Sequence, residues 1–293
     1  MKLFRGLVVA GLIVAFALAM LGSWTRINGA GMTCPDWPLC HGAVVPVLHG
    51  GVVLEWLHRL FAFCETFVVA ALVVTGLRLR AAIPPLRPLL ITVAGAFVLQ
   101  VLLGGVTIFL ANSPLSVMFH WAAATLLLWG LTALAVLAFA YDPSRQPPTF
   151  ASRPGVTPLL ITVFCAFVAM CAGAAVSSSG SGLACPSVPG CDSTFFGQTG
   201  PQVLQMTHRL LAAALVVCAV VAAVLLPRSS QRATAALRVA LALLALQITL
   251  GVLNVLWSLP TALREAHAAN AVATFLAFVV ATAFAALERD WVA

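Results

Sequence analysis

The segment Glu55-Trp56-Leu57-His58-Arg59-Leu60 is echoed 150 positions later by Gln205-Met206-Thr207-His208-Arg209-Leu210. Each copy places a His-Arg-Leu triplet near the start of a long apolar run. His120 and His267 form a second matched pair, 147 positions apart. A histidine inside an apolar run of spanning length marks a functional site, and bundles build cofactor sites from side chains on facing helices. Two histidines without a Cys or Asp beside them suit axial ligation of haem iron. A zinc site would want about four ligands, and copper is a further option. Haem carries two anionic propionates, and a guanidinium grips a carboxylate through two parallel hydrogen bonds. Arg59 and Arg209 directly follow two of the histidines, and Arg26 and Arg264 fall near the same surface. The competing role for these arginines is snorkelling to lipid headgroups.

Glu55 lies three residues before His58, so the two share a helix face. A carboxylate can act as a base or a fixed charge; an amide, as at Gln205, can do neither. This difference gives Glu55 a catalytic or proton-handling role, against the plainer role of a solvated helix end. Glu65 lies deeper on the same helix and has no acidic counterpart. Cys34 and Cys40, like Cys185 and Cys191, are separated by five residues in outer loops. On an oxidising face each pair forms a disulfide; redox activity or transient metal capture is the alternative. Cys64, Cys165, Cys171 and Cys218 read as small apolar residues within helices. Gly104, Gly105 and Gly251 permit close approach, of another helix or of a flat macrocycle. Trp24, Trp37, Trp56 and Trp257 read as interface anchors.

The elements that position these groups follow from composition. The chain has 293 residues, 62% hydrophobic and 8% charged, against about 25% charged in soluble domains. It reads as an all-α membrane protein. Apolar runs of spanning length fall near 4–23, 50–77, 88–110, 117–140, 157–177, 202–226, 235–257 and 265–287. The first run resembles a signal peptide, but the repeat needs it as partner of the fifth. The net charge of +7 is spread through short loops, which argues against nucleic acid and fits the positive-inside rule. With eight spans, eleven Lys and Arg fall on the side of the termini and four on the other. That places both termini in the cytoplasm and all four matched histidines near the outer ends of helices two, four, six and eight.

The repeat is direct. The stretch 29–40, GAGMTCPDWPLC, aligns without gaps to 180–191, GSGLACPSVPGC, with six of twelve positions identical. Leu99, Gln100 and Gly104 match Leu246, Gln247 and Gly251 at the offset that joins His120 to His267. Eight transmembrane helices are therefore expected as two parallel-repeat four-helix bundles. Residues 1–141 form one half, 142–156 a Pro-rich cytoplasmic linker and 157–293 the other half.

Over nearly its whole length this pattern resembles the haem A synthase family. The resemblance rests on eight helices in two halves, the paired loop cysteines, Glu-x-x-His-Arg at Glu55 to Arg59, and His120, His208 and His267. It implies oxidation of the C8 methyl of haem O to the formyl group of haem A through successive hydroxylations. It also implies substrate haem O in the amino-terminal half, at His58 and His120, and a haem b cofactor in the carboxy-terminal half, at His208 and His267. The location implied is the inner or plasma membrane, with haem O synthase and terminal oxidase assembly factors as partners besides the lipid bilayer. The competing classes are a di-haem cytochrome b exchanging electrons with quinone, which needs no Glu-to-Gln difference, and a transporter, which needs no haem.

Overall fold

The structure, a computed structural model, describes residues 1–141, 155–191, 194–227 and 230–287. Among the described residues it is all-helical, with eight helices long and apolar enough to cross a membrane. These are α1 (Lys2–Ile27), α2 (Gly50–Leu79), α3 (Leu86–Phe109), α4 (Pro114–Ala140), α5 (Val156–Ser178), α6 (Gly200–Leu225), α7 (Gln231–Leu256) and α8 (Thr261–Leu287). The expected linker lies outside the described residues except for 155 and 156. Gly155 takes a left-handed φ of 89° as it opens α5, a conformation that favours glycine.

The helices start and stop where local chemistry allows. Pro114 opens α4, where its missing N–H costs nothing. Thr199 and Gln202 form a capping box at α6, satisfying amides that would otherwise be orphaned. Helices α4, α7 and α8 begin three to four residues earlier than hydropathy alone suggests, because their first turns carry polar groups such as Ser116, Gln231 and Arg264. Arg26 and Arg264 consequently lie inside helix ends rather than in loops.

Contacts run from α1 to α2, α3, α4 and back to α1, and from α5 to α6, α7, α8 and back to α5. Helices α1, α4, α5 and α8 also meet one another across the middle. The most buried spans are α4 and α8, at 61% and 50% of their central windows, against 17% for α6 and α7. The outer helices therefore turn most of their apolar surface outward, as lipid-facing helices do. Two apolar cores result. One gathers Phe4, Leu72, Leu90 and Leu131; the other gathers Leu159, Leu237, Phe275 and Phe278.

The backbone repeats in detail. Ala111 and Asn112 carry positive φ in the turn between α3 and α4, as do Ser258 and Leu259 between α7 and α8. The amide of Asn112 bonds the Thr107 carbonyl at 2.7 Å, and that of Leu259 bonds the Asn254 carbonyl at 2.7 Å. Cys40 pairs with Ala43 in an isolated bridge, and Cys191 with Thr194 in another.

Candidate functional site

Each of the four matched histidines faces a glycine on the preceding helix. A Cβ placed on Gly22 of α1 would lie 2.9 Å from Cε1 of His58, and one on Gly173 of α5 would lie 2.9 Å from Cε1 of His208. The corresponding distances are 3.3 Å from Gly104 to His120 and 3.2 Å from Gly251 to His267. No larger residue fits at Gly22 or Gly173 without moving the ring. Gly104 and Gly251 were legible in the sequence. Gly22 and Gly173 were missed, although they are 151 positions apart, the offset of the cysteine loops. All four imidazoles are half-buried. His58 lies within electrostatic range of His120, and His208 of His267. Each half thus brings together the histidine pair expected of it.

The two pairs differ in how their polar atoms are satisfied. In the second half Nδ1 of His208 meets the Ala169 carbonyl at 3.0 Å. Asn270 donates to the Leu243 carbonyl at 2.9 Å and to Oε1 of Gln247 at 2.8 Å, and Nε2 of Gln247 lies 3.1 Å from Nε2 of His267. In the first half Ala123 occupies the place of Asn270. There Nε2 of Gln100 lies 3.3 Å from Nε2 of His120, while Oε1 of Gln100 and Nδ1 of His120 have no partner. Nδ1 of His58 also lacks one, the Leu18 carbonyl standing near it outside hydrogen-bond geometry. Buried polar groups without partners are uncommon and call for a ligand or another explanation.

Above each pair sits a cysteine loop held by the helix below it. Cys34 is bonded to Cys40 and Cys185 to Cys191, with Cα separations of 4.7 and 4.6 Å. Glu55, 4% exposed, accepts from the Cys34 amide at 2.8 Å and from Thr33 Oγ1 at 2.9 Å through one oxygen. Its other oxygen pairs with Arg59 at 2.7 Å. Gln205 stands in the same place: its carbonyl accepts from the Cys185 amide at 2.6 Å and its amide donates to the Gly182 carbonyl at 2.7 Å. Asp36 closes the first loop by accepting from the amides of Gly42 and His41, both at 2.7 Å. The Gly42 bond, followed by that of His41, holds this exposed carboxyl below the usual carboxylate range. Alkylation of membrane-purified protein without reductant, followed by mass analysis, should find Cys34, Cys40, Cys185 and Cys191 unlabelled. Labelling of either pair would count against its disulfide.

The arginines serve partners that spacing did not suggest. Arg59 donates to the carbonyls of Cys34, Asp36 and Leu39 as well as to Glu55. Arg209 donates to those of Cys185, Ser187, Pro189 and Gly190. Their terminal nitrogens, expected to clamp propionates, are here engaged by the loops. A carbonyl oxygen satisfies a guanidinium much as a carboxylate does. Arg26 reaches Ser177 of α5, at 2.8 Å to its hydroxyl. Ser23 of α1 donates to Glu265 of α8 at 2.8 Å. Arg26 lies within electrostatic range of both Arg264 and Glu265. Arg26, Arg264 and Glu265 are therefore gathered where α1 meets α5 and α8. Sequence reasoning missed Glu265, which has no counterpart in the repeat.

Trp37 is more than an interface anchor. Its indole lies against Gly105 of α3, where an added Cβ would meet ring carbons at 3.1–3.4 Å. Trp56 donates to the Val44 carbonyl at 2.9 Å, while Trp257 is 60% exposed. An apolar groove of about 330 Å³ lies along α3 and α4, lined by Leu99, Leu103, Phe119, Ala123 and Leu126, with Phe167 of α5.

The donor set fits haem. Each half offers two imidazole donors, and among the described residues no group of three or more His, Cys, Asp or Glu is placed to hold a metal ion alone. The glycine opposite each imidazole gives the ring its place against the neighbouring helix.

Comparison with known proteins is consistent with this geometry. The chain matches the COX15-CtaA family, described as cytochrome oxidase assembly protein, over residues 5–52 and 47–279. It is 26% identical over 274 residues to Heme A synthase of Bacillus licheniformis, covering 91% of each chain. It is 26% identical over 319 aligned residues to Heme A synthase of Shewanella oneidensis, covering 93% of this chain and 94% of that one. A shorter match, 35% identical over 77 residues, is to Protoheme IX farnesyltransferase of Haloarcula marismortui, covering 26% of this chain and 16% of that protein.

Proposed function

Because the chain belongs to the COX15-CtaA family of cytochrome oxidase assembly proteins, we propose that it is a haem A synthase, a membrane oxidoreductase converting haem O to haem A. The reaction oxidises the C8 methyl of haem O to a formyl group through successive hydroxylations. The observation that carries this reading is the pair of histidine sites, alike in their glycines and loops but unlike at Glu55 and Gln205.

The halves divide the work. His208 and His267 hold a resident haem b, which when bound supplies one-electron chemistry. The satisfied polar atoms of that half, the Ala169 carbonyl on His208 and the Asn270–Gln247 chain on His267, favour a permanently held group. His58 and His120 receive haem O. Their unpaired Nδ1 atoms and the unpaired Oε1 of Gln100 favour a site that fills and empties with each turnover. The apolar groove along α3 and α4 suits the isoprenoid tail of the substrate, which is soluble in lipid. Arg26 and Arg264, whose charge is only partly offset by Glu265, are the arginines left to face propionates near the junction.

Orientation and pathway follow from the same assignments. Lys and Arg concentrate on the side of the termini, which puts both ends in the cytoplasm and the disulfide loops outside. The short match to a protoheme farnesyltransferase favours a haem O synthase as the supplier of substrate.

The test is heterologous expression in cells that make haem O but no haem A. Extracted haems are separated by chromatography and weighed. The expected result is haem A together with hydroxylated haem O, only when the protein is present. A membrane cytochrome b would give a haem spectrum and unchanged haem O, and that result would reject the synthase.

A further inference from the structure

We infer that Trp37 forms a wall of the substrate cleft, an aromatic surface set against the macrocycle of haem O; this rests on the assignment of substrate to the amino-terminal half. Trp37 sits within the ring closed by Cys34 and Cys40. Carbonyls on both sides of it, those of Asp36 and Leu39, are held by Arg59, the residue next to His58. Asp36 itself is fixed by two loop amides, and the Gly31 carbonyl accepts from Asn112 in the turn before α4 at 2.8 Å. The loop is therefore pinned on α2 and on the turn between α3 and α4, so it spans the outer mouth of the first half.

From that loop the indole turns onto Gly105 of α3, whose missing side chain leaves the ring its place. The neighbouring Gly104 is the residue against His120. The loop that carries Trp37 is thus tied to Arg59, the residue after His58, and its indole rests on the residue after Gly104, which faces His120. A rigid aromatic with a flat apolar face suits a porphyrin, because offset or edge contacts between π systems stabilise beyond the area they bury.

The cofactor half lacks this device. Val188 replaces Trp37 and Val252 replaces Gly105, although its loop is closed and pinned in the same way by Cys185, Cys191, Gln205 and Arg209. Val188 holds the equivalent place in a loop that is closed and pinned alike, so closing the loop does not itself require an indole. Its restriction to one half matches the need to select and orient a substrate that arrives and leaves, which a permanently bound group does not impose. In this account Glu55, Arg59 and the disulfide together hold Trp37 in place.

The experiment titrates haem O into purified protein that retains its resident haem, following the absorption change on binding. Trp37→Val should weaken binding by about tenfold and raise the KM for haem O. Trp37→Phe should keep most of the affinity. The double substitution Trp37→Val with Gly105→Val rebuilds the valine pair of the other half, restoring packing without an aromatic face, and should bind as poorly as Trp37→Val alone. The resident haem spectrum and the Cys34–Cys40 disulfide should persist in all three. Wild-type affinity in Trp37→Val, or its recovery in the double variant, would overturn the inference. So would loss of the resident haem or the disulfide from Trp37→Val, since the indole would then serve the fold. Wild-type protein that takes up no haem O overturns the underlying assignment and this inference with it.

Discussion

Replacing His208 or His267 with alanine should strip the purified protein of its low-spin haem, whereas His58→Ala should leave that spectrum nearly intact. Bound haem per protein should fall at least about tenfold, since changes even in groups that merely support a metal ligand cost about 10–100-fold in affinity. The asymmetry follows from the surroundings of the rings. His208 is braced by the Ala169 carbonyl and His267 by Gln247, itself fixed by Asn270. Around His58 and His120 both Nδ1 atoms lack a partner, and Gln100 has Ala123 rather than an asparagine to fix it, so haem bound there should exchange and be lost during purification. Pyridine haemochrome quantification measures the effect. Equal loss from all four single substitutions would mean that both halves hold resident haem and would remove the division of labour.

The second large effect concerns Glu55. Oxidising a methyl group on a porphyrin builds positive charge on its carbon. A fixed carboxylate stabilises that charge strongly where water is excluded, and it can accept a proton as the carbon is hydroxylated. The structure gives Glu55 a second duty, because its oxygens hold the Cys34 amide, Thr33 and Arg59. Deleting the side chain would confound the two duties, but Glu55→Gln separates them. Gln205 already shows that an amide holds the equivalent loop, through the Cys185 amide and the Gly182 carbonyl. Glu55→Gln should therefore keep the disulfide, the resident haem and membrane insertion. Conversion of haem O should fall by about 10²–10³-fold, or stall at a hydroxylated intermediate, as seen by chromatography of extracted haems. Normal haem A from this variant would reject the catalytic role and leave Glu55 as the anchor of the loop.

Much of this was legible in the chain because the repeat places like residues at fixed offsets. The four histidines, both cysteine pairs and the exchange of Glu55 for Gln205 need only alignment of the halves. The eight helices follow from hydropathy, apart from the polar first turns of α4, α7 and α8. Other features depend on tertiary approach. Gly22 and Gly173 look like ordinary glycines among the 21 in the chain until the imidazoles close on them. A guanidinium can donate to a propionate or to carbonyls, so the capture of Arg59 and Arg209 by loop carbonyls depends on the path of loops that sequence does not specify. Glu265 and Asn270 have no like partner in the other half, so a search for repeats passes over them. Trp37 resembled an interface anchor because tryptophan at a helix boundary commonly is one; only the position of Gly105 shows the indole tucked inward. Glu65 remains fully buried with both oxygens unpaired, near Gly11 of α1.

The central claim is that one half keeps its haem while the other exchanges it. The most direct measurement is haem stoichiometry before and after haem O is added to purified protein, with unbound haem removed and the bound haems identified by mass. The account predicts about one haem b per chain at the start. After addition it predicts one equivalent of haem O besides, absent from His58→Ala and His120→Ala but present in wild type. Displacement of haem b by haem O, or uptake that survives loss of both His58 and His120, would contradict it.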